Sequence, residues 1–252
     1  MISDTELGEN MSIVLAGDTH GSMDIRKLGN DKVLKACGGE YPSHVIILGD
    51  FGLVWTKDTP EELYWLKWLE EKPWITLVTL GNHENYERIY QLPLVDLYGG
   101  KAYKLSDKIF ILQHGHVFTV EGKTFFNFGG ARSIDKAYRQ NRITWWEEEE
   151  PTQADFFRGK ENLAKVNNTV DYVITHTAPQ EAIDAIRHNL PFSDSSYFDL
   201  KSKDSTVTML NEYLQLGLTF KAWLFGHFHI DESFIKNNRA YSVAYDTLKV
   251  IE

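Results

Sequence analysis

One cysteine, Cys37, stands in 252 residues, so the chain forms no internal disulfide and offers no thiolate cluster for zinc. Any metal must bind through nitrogen and oxygen. Long apolar runs are missing as well: none reaches the ~20 residues of a membrane-spanning helix. Ile2 to Asn10 is polar and acidic rather than a charged segment leading into an apolar one. Membrane insertion and secretion are therefore not expected, and a reducing cytoplasmic setting is. Basic residues are scarce beside acidic ones, 26 Lys+Arg against 36 Asp+Glu, for a formal charge of −10. Binding to long nucleic acids depends on neutralising many phosphates, and this balance disfavours it. Internal repeats and low-complexity tracts are absent. What remains, 42% apolar and 25% charged residues, is the composition of a globular protein with a sizeable core.

Against that background, five short polar clusters each follow an apolar run: Gly17-Asp18-Thr19-His20, Gly49-Asp50, Gly81-Asn82-His83-Glu84, Thr175-His176 and Gly226-His227-Phe228-His229. The preceding runs read as buried strands, which places the polar residues at strand ends. Ligands of open α/β sheets bind beyond the carboxyl ends of strands, so one mouth collects Asp, Asn and His side chains.

The organisation supports this. A strand over 12–16, a helix from Asp24 to Cys37, a strand over 44–48, a helix from Pro60 to Glu71 and a strand over 75–80 form a β-α-β-α-β series. Runs Lys101 to Leu105, Ile109 to Gln113, Val117 to Val120 and Thr124 to Phe128 read as hairpins of a second sheet, with His114 and His116 flanking a hairpin turn. Helices over 152–168 and 204–216 and strands 219–225, 232–236 and 241–243 complete the series. Residues 1–10 carry no periodic pattern and read as an extension before Met11, leaving 11–252 as a single domain. Two long segments, 129–151 and 187–203, fit neither sheet; loops of that length are usually functional or disordered. The acidic run Glu147 to Glu150 reads as a solvated helix edge.

Asp18 and His20 are two apart, as are His227 and His229, and in an extended chain such pairs point to one side, each able to grip one object. Asp18, His20, Asp50, Asn82, His176, His227 and His229 exceed what one ion needs, and two ions bridged by a carboxylate are the economical solution. The donor set suits Mn²⁺, with Fe or Zn²⁺ as alternatives.

In order and across nearly the whole chain, the motifs D-x-H, G-D, G-N-H-E, H and G-H-x-H resemble the calcineurin-like metallophosphoesterase superfamily. The resemblance implies an α/β fold, a four-layer αββα sandwich of two mixed β-sheets flanked by helices. It implies that Asp18, His20 and His229 hold one metal and Asn82, His176 and His227 a second, with Asp50 bridging. His83 would be a catalytic non-ligand that touches the phosphate or protonates the leaving group, while a hydroxide between the ions attacks phosphorus. The implied activity is metal-dependent hydrolysis of a small phosphate mono- or diester, a nucleotide among the candidates. Protein phosphatase and nuclease action in the same superfamily, and a metal-free interaction scaffold, are the alternatives. The protein-phosphatase branch carries G-D-x-V-D-R-G, whereas this chain reads Gly49-Asp50-Phe51-Gly52-Leu53-Val54-Trp55, without the second Asp or the Arg. Substitute phosphate-binding arginines are sought in Arg88, Arg132, Arg139 and Arg142. The run Gly129 to Asp135 with Arg142 and Trp145-Trp146 is similar to small bacterial and phage members. Glu84 reads equally as a helix-capping charge or as support for the site, and Trp145 and Trp146 as anchors of their loop. The expected partner is a small phosphorylated substrate.

Overall fold

Two sheets lie face to face in a computed structural model of the chain, which describes residues 12–133, 135–189 and 204–251. The expected extension over 1–10 and most of the 187–203 segment fall outside the described residues. The first sheet contains β1 (Ile13–Ala16), β2 (His44–Ile47), β3 (Ile75–Val78), β4 (Leu94–Leu97), β5 (Gly100–Lys104), β6 (Ile109–Leu112) and β13 (Lys249–Ile251), in the order β13-β1-β2-β3-β6-β5-β4. The second contains β7 (His116–Val120), β8 (Lys123–Phe128), β9 (Tyr172–Thr175), β10 (Ala222–Phe225), β11 (Glu232–Lys236) and β12 (Arg239–Val243), in the order β11-β12-β10-β9-β8-β7. Both sheets are mixed: β1, β2, β3 and β6 run parallel, as do β8, β9, β10 and β12, while the edge strands are antiparallel.

Alternation along the strands builds four layers. Ile13 and Leu15 of β1 face the second sheet and pack in one inner core with Ile46, Leu77, Phe125, Ile174 and Leu224. Val14 and Ala16 point the other way, into a core with Val33 of α1 (Asn30–Ala36) and Trp65 and Leu69 of α2 (Pro60–Glu70). On the far side, Phe126, Val173 and Trp223 pack against residues of α4 (Gln153–Lys165), α5 (Gln180–Ile186) and α6 (Ser205–Gln215). A short α3 (Tyr86–Ile89) follows the third cluster. The expected αββα sandwich is the architecture observed. Local chemistry explains the helix starts: Thr59 accepts from the Glu62 amide ahead of Pro60, and Thr152 with Asp155 forms a reciprocal cap on α4.

Several sequence expectations need correction. The helix expected from Asp24 to Cys37 is a 3-10 turn, Ile25–Leu28, and then α1, because Gly29 between them is extended. His114 and Gly115 do not turn a hairpin; they carry the chain from β6 in one sheet to β7 in the other, so the strands read as one second sheet are shared between both. The Glu147–Glu149 turn is not a solvated edge: Glu149 is fully buried. β4, α5 and β13 are absent from the sequence reading; β4, Leu-Val-Asp-Leu after Pro93, alternates exposed and half-buried residues on an edge, and Asp96 interrupts its apolar residues.

Candidate metal centre

Parallel strands deliver the polar clusters to one place. Asp18 follows β1, Asp50 follows β2, Asn82 follows β3, His176 follows β9, and His227 and His229 follow β10. The chain turns sharply at each exit. Four of the seven candidate ligands, His20, Asp50, His227 and His229, have φ of 43°, 48°, 70° and 52°. Left-handed backbone is unfavourable for residues with a side chain, and such strain persists where surrounding structure enforces it. The glycines are steric necessities: a Cβ at Gly81 would overlap Asp50, and one at Gly226 would overlap the Asp18 carboxylate.

The side chains meet in two groups. In one, His229 Nε2 lies 3.1 Å from Asp18 Oδ2, and one ligand atom each from Asp18, His20 and His229 fall within 4.8 Å of one another. In the other, His176 Nε2 lies 3.0 Å from Asn82 Oδ1 and 3.3 Å from His227 Nδ1. Asp50 stands between them, with Oδ2 3.5 Å from His20 Nε2 and Oδ1 3.1 Å from His176 Nε2. The His227-x-His229 pair therefore does not grip one object: with both residues left-handed, the extended i, i+2 rule does not apply, and the two rings go to different groups.

The electrostatics are those of a cation site. Burial disfavours charge on Asp50, yet His176 and His20 hold its carboxyl well below the usual range. Burial also opposes ionisation of Asp18, which is lowered by the His229 hydrogen bond and by His176. His20 and His176 are pushed down by burial but raised on balance to about 9, because each faces buried carboxylate. His227, buried beside His176, is depressed to about 3. Two buried carboxylates, an amide oxygen and four imidazoles, with no thiolate, fit borderline divalent cations, which would replace the protons that His20 and His176 otherwise carry.

Around these groups lies support that the sequence motifs do not reveal. His176 donates from Nδ1 to the Leu48 carbonyl at 2.8 Å, which turns Nε2 toward the centre. Asn82 donates from Nδ2 to Ser133 Oγ at 3.1 Å, and Ser133 donates from Oγ to Glu149 Oε2 at 2.6 Å and from its amide to Oε1 at 2.9 Å. Glu149 thereby orients the Asn82 amide so that its oxygen faces His176. Asp24 accepts from His20 Nδ1 at 3.1 Å, and the Tyr245 ring stacks on His229 at 4.6 Å. Lys27 donates to the carbonyls of Asp18 and Tyr245, both at 2.7 Å. Glu84 does not cap α3, whose cap is Asn85; it accepts from the amides of Phe51 and Gly52 and so pins the turn after Asp50. Glu84 has a sequence signal, its place in the Gly81-Asn82-His83-Glu84 cluster. Ser133 lies in the Gly129 to Asp135 run, whose resemblance did not single it out, and nothing in the sequence marks Lys27 or sets Glu149 apart from its acidic neighbours.

His83 donates its backbone amide to Asp50 Oδ1 at 2.8 Å, and its half-buried ring stands at the mouth with Nε2 3.9 Å from Asp50 Oδ2. A cavity of about 130 Å³ opens there, lined by Asp50, Asn82, His83, Arg139, His227 and His229 together with Asp135. Of the four candidate arginines, Arg139 alone lines it, fixed by Asp135 at 2.7 Å and approaching His83 Nδ1 at 3.0 Å. Arg88 is committed to Glu62 through two bonds of 2.8 Å, and Arg142 pairs with Glu148 at 2.9 Å. Arg132, whose amide faces Asp204, does not line the cavity either. Leu53 and Val54, where the protein-phosphatase motif has Asp and Arg, are buried in the core. Trp146 is buried in that core as well, and Trp145 is nearly buried, as expected of loop anchors.

No helix among the described residues is long and apolar enough to cross a membrane. A family model described as calcineurin-like phosphoesterase matches residues 11–231. Among solved structures the chain is similar to the phosphopantetheinyl hydrolase of Mycobacterium tuberculosis, at 15% identity over 93% of this chain and 90% of that one, TM-score 0.45. It is also similar to GAP50, the anchor in the inner membrane complex of Plasmodium, at 14% identity over 93% and 71%, TM-score 0.47. A third similar structure is a conserved protein of Streptococcus pneumoniae described as a predicted phosphoesterase, at 11% identity over 93% and 72%, TM-score 0.31. No curated protein matches the sequence.

Proposed function

Because the chain belongs to the calcineurin-like phosphoesterase family, we propose that it hydrolyses a small phosphate mono- or diester using two divalent metal ions, Mn²⁺ foremost, at the strand-end centre. The observation that carries this reading is the divergence of the Asp50 oxygens, one toward His20 and the other toward His176. Asp18, His20 and His229 would hold one ion and Asn82, His176 and His227 the other, with Asp50 shared. When bound, such ions supply a water of lowered pKa and a counter-charge for phosphoryl oxygens.

The remaining chemistry is carried by side chains. Arg139 approaches both ring nitrogens of His83, Nδ1 at 3.0 Å and Nε2 at 3.4 Å, and Nε2 lies 3.9 Å from Asp50 Oδ2. Protonation of the leaving oxygen by His83 requires its imidazolium, which burial and Arg139 disfavour and Asp50 favours, and Arg139 can add a guanidinium to the phosphoryl pocket. The protein-phosphatase reading is less favoured, since the segment after Asp50 presents buried Leu53 and Val54 in place of a phosphate clamp. A nuclease acting on long duplexes is disfavoured by the charge of −10. The single cysteine is consistent with a cytoplasmic enzyme.

The test is a substrate panel on the full chain, with Mn²⁺ added or chelated away: p-nitrophenyl phosphate, bis-p-nitrophenyl phosphate, cyclic nucleotides and a phosphopeptide. Metal-dependent turnover of a small ester, ahead of the phosphopeptide, is expected. A folded, Mn²⁺-loaded protein that hydrolyses none of them would favour the scaffold alternative.

A further inference from the structure

A second and larger cavity, of about 510 Å³, adjoins the phosphoryl pocket and shares His83 and His229 with it. Its distinctive walls are Met23, Asp24, Trp55 and Tyr245. Its volume lies within the range typical of organic-ligand sites, roughly 300–1,000 Å³. The two cavities differ in their basic side chains. Arg139 lines the small one, whereas no Lys or Arg among the described residues lines the large one. Its one ionisable carboxylate, Asp24, already accepts from His20 Nδ1 at 3.1 Å and from the Tyr245 hydroxyl at 3.3 Å. Lys27 lies close, 4.4 Å from the Tyr245 ring centroid, but its ammonium is bound to the two carbonyls beneath that ring.

From this juxtaposition we propose that the substrate's leaving group is an uncharged, apolar or ring-bearing organic group that occupies the Met23–Trp55–Tyr245 cavity, and that a phosphate chain does not bind there. The inference rests on the phosphoesterase reading and adds the class of substrate. A molecule spanning both cavities places its phosphoryl group beside Arg139 and its scissile oxygen at His83, the residue common to both. Beyond the histidines of the metal centre, a leaving group bearing phosphate charges would meet the Asp24 carboxylate and, among the described residues, no Lys or Arg, and an unpaired charge taken from water is costly. An apolar group instead covers Met23, a large side chain left 74% exposed, and the face of Trp55, which is braced edge-on against Trp146 at 5.1 Å. Cleavage moves the P–O bond electrons onto the organic oxygen, which takes a proton, while water supplies the new P–O bond. The products are phosphate and a neutral alcohol or phenol.

The experiment compares kcat/KM for p-nitrophenyl phosphate with that for inorganic pyrophosphate in the Mn²⁺-loaded full chain and in Met23→Lys and Trp55→Ala. The readout is the ratio of the two constants within each protein, which cancels differences in metal loading. Met23→Lys changes an exposed residue, so its folding is not in question, and it adds an ammonium to the wall that has no Lys or Arg among the described residues. The ratio is expected to fall about tenfold or more in each variant, the scale of an altered apolar pocket contact, with Met23→Lys gaining on pyrophosphate. An unchanged ratio in both variants, or a wild-type preference for pyrophosphate, would overturn the proposal. Where only the diester is cleaved, bis-p-nitrophenyl phosphate takes the place of p-nitrophenyl phosphate in the ratio; if wild type with Mn²⁺ cleaved none of the three, the phosphoesterase reading itself would fail, and the substrate class with it.

Discussion

The floor of the metal centre and the segment 129–150 beside it are built on different terms. The floor is made by strand exits: Asp18, Asp50, Asn82, His176 and His227 emerge from neighbouring parallel strands, and the sheet ladders set their spacing. Among its described residues the segment has no strand and only short 3-10 turns; side chains hold it through Ser133–Glu149, Arg139–Asp135, Arg142–Glu148 and the buried Trp145 and Trp146, beside a few backbone bonds such as Ala131 to Glu149. Yet it reaches the centre twice, at Asn82 through Ser133 and at His83 through Arg139. A site of this kind can keep its metal-binding floor constant while the bordering segment changes what is bound and how firmly.

Substitutions on either side should separate the two regions. The largest effect is expected from His83→Ala, which should lower kcat by about 10²–10⁴ while metal content by elemental analysis stays at the wild-type level; loss of metal would place His83 in the floor. Glu149→Gln should come next. Removing an acceptor that orients Asn82 should weaken metal affinity by about 10–100-fold, read by titrating the metal-free protein with Mn²⁺ in a calorimeter, with one binding event affected more than the other. Equal affinity in the variant would reduce the Glu149–Ser133 contact to loop packing.

The smallest effect concerns pH. Burial pushes the Glu149 carboxyl up to about 7, partly opposed by its Ser133 hydrogen bonds, against about 4.3 for an unfolded glutamate. The folded chain thus keeps a proton that the unfolded chain releases. This contribution to stability is present below the unfolded value and is lost as pH rises through about 7. Thermal unfolding of the metal-free protein between pH 5 and 8 should show wild type losing stability relative to Glu149→Gln. Parallel curves would contradict a buried, protonatable Glu149.

The same contrast explains what could be read from the sequence. Each floor residue sits within four residues of its apolar strand, so the motif and the strand announce each other, and the αββα layers were what the resemblance carried by those motifs implied. The i, i+2 reasoning for His227 and His229 failed because their backbone is left-handed, a property that two histidines around a phenylalanine do not display. Glu149 was hidden within an acidic run whose neighbours, Glu148 and Glu150, are bound to Arg142 and Ser205, and only the folded chain distinguishes the buried one. Arg88 looked close to the third cluster in sequence, but Glu62 of α2, 26 residues away in the chain, claims its guanidinium. Short-range pattern exposed the floor, and long-range pairing concealed the segment that borders it.

On the proposed function, Asp50 serves two ions at once. Metal content of the full chain after equilibrium dialysis against Mn²⁺, by elemental analysis, tests it most directly: wild type should hold two ions per chain and Asp50→Asn should lose both together. An Asp50→Asn protein that retains one ion at wild-type affinity would contradict it.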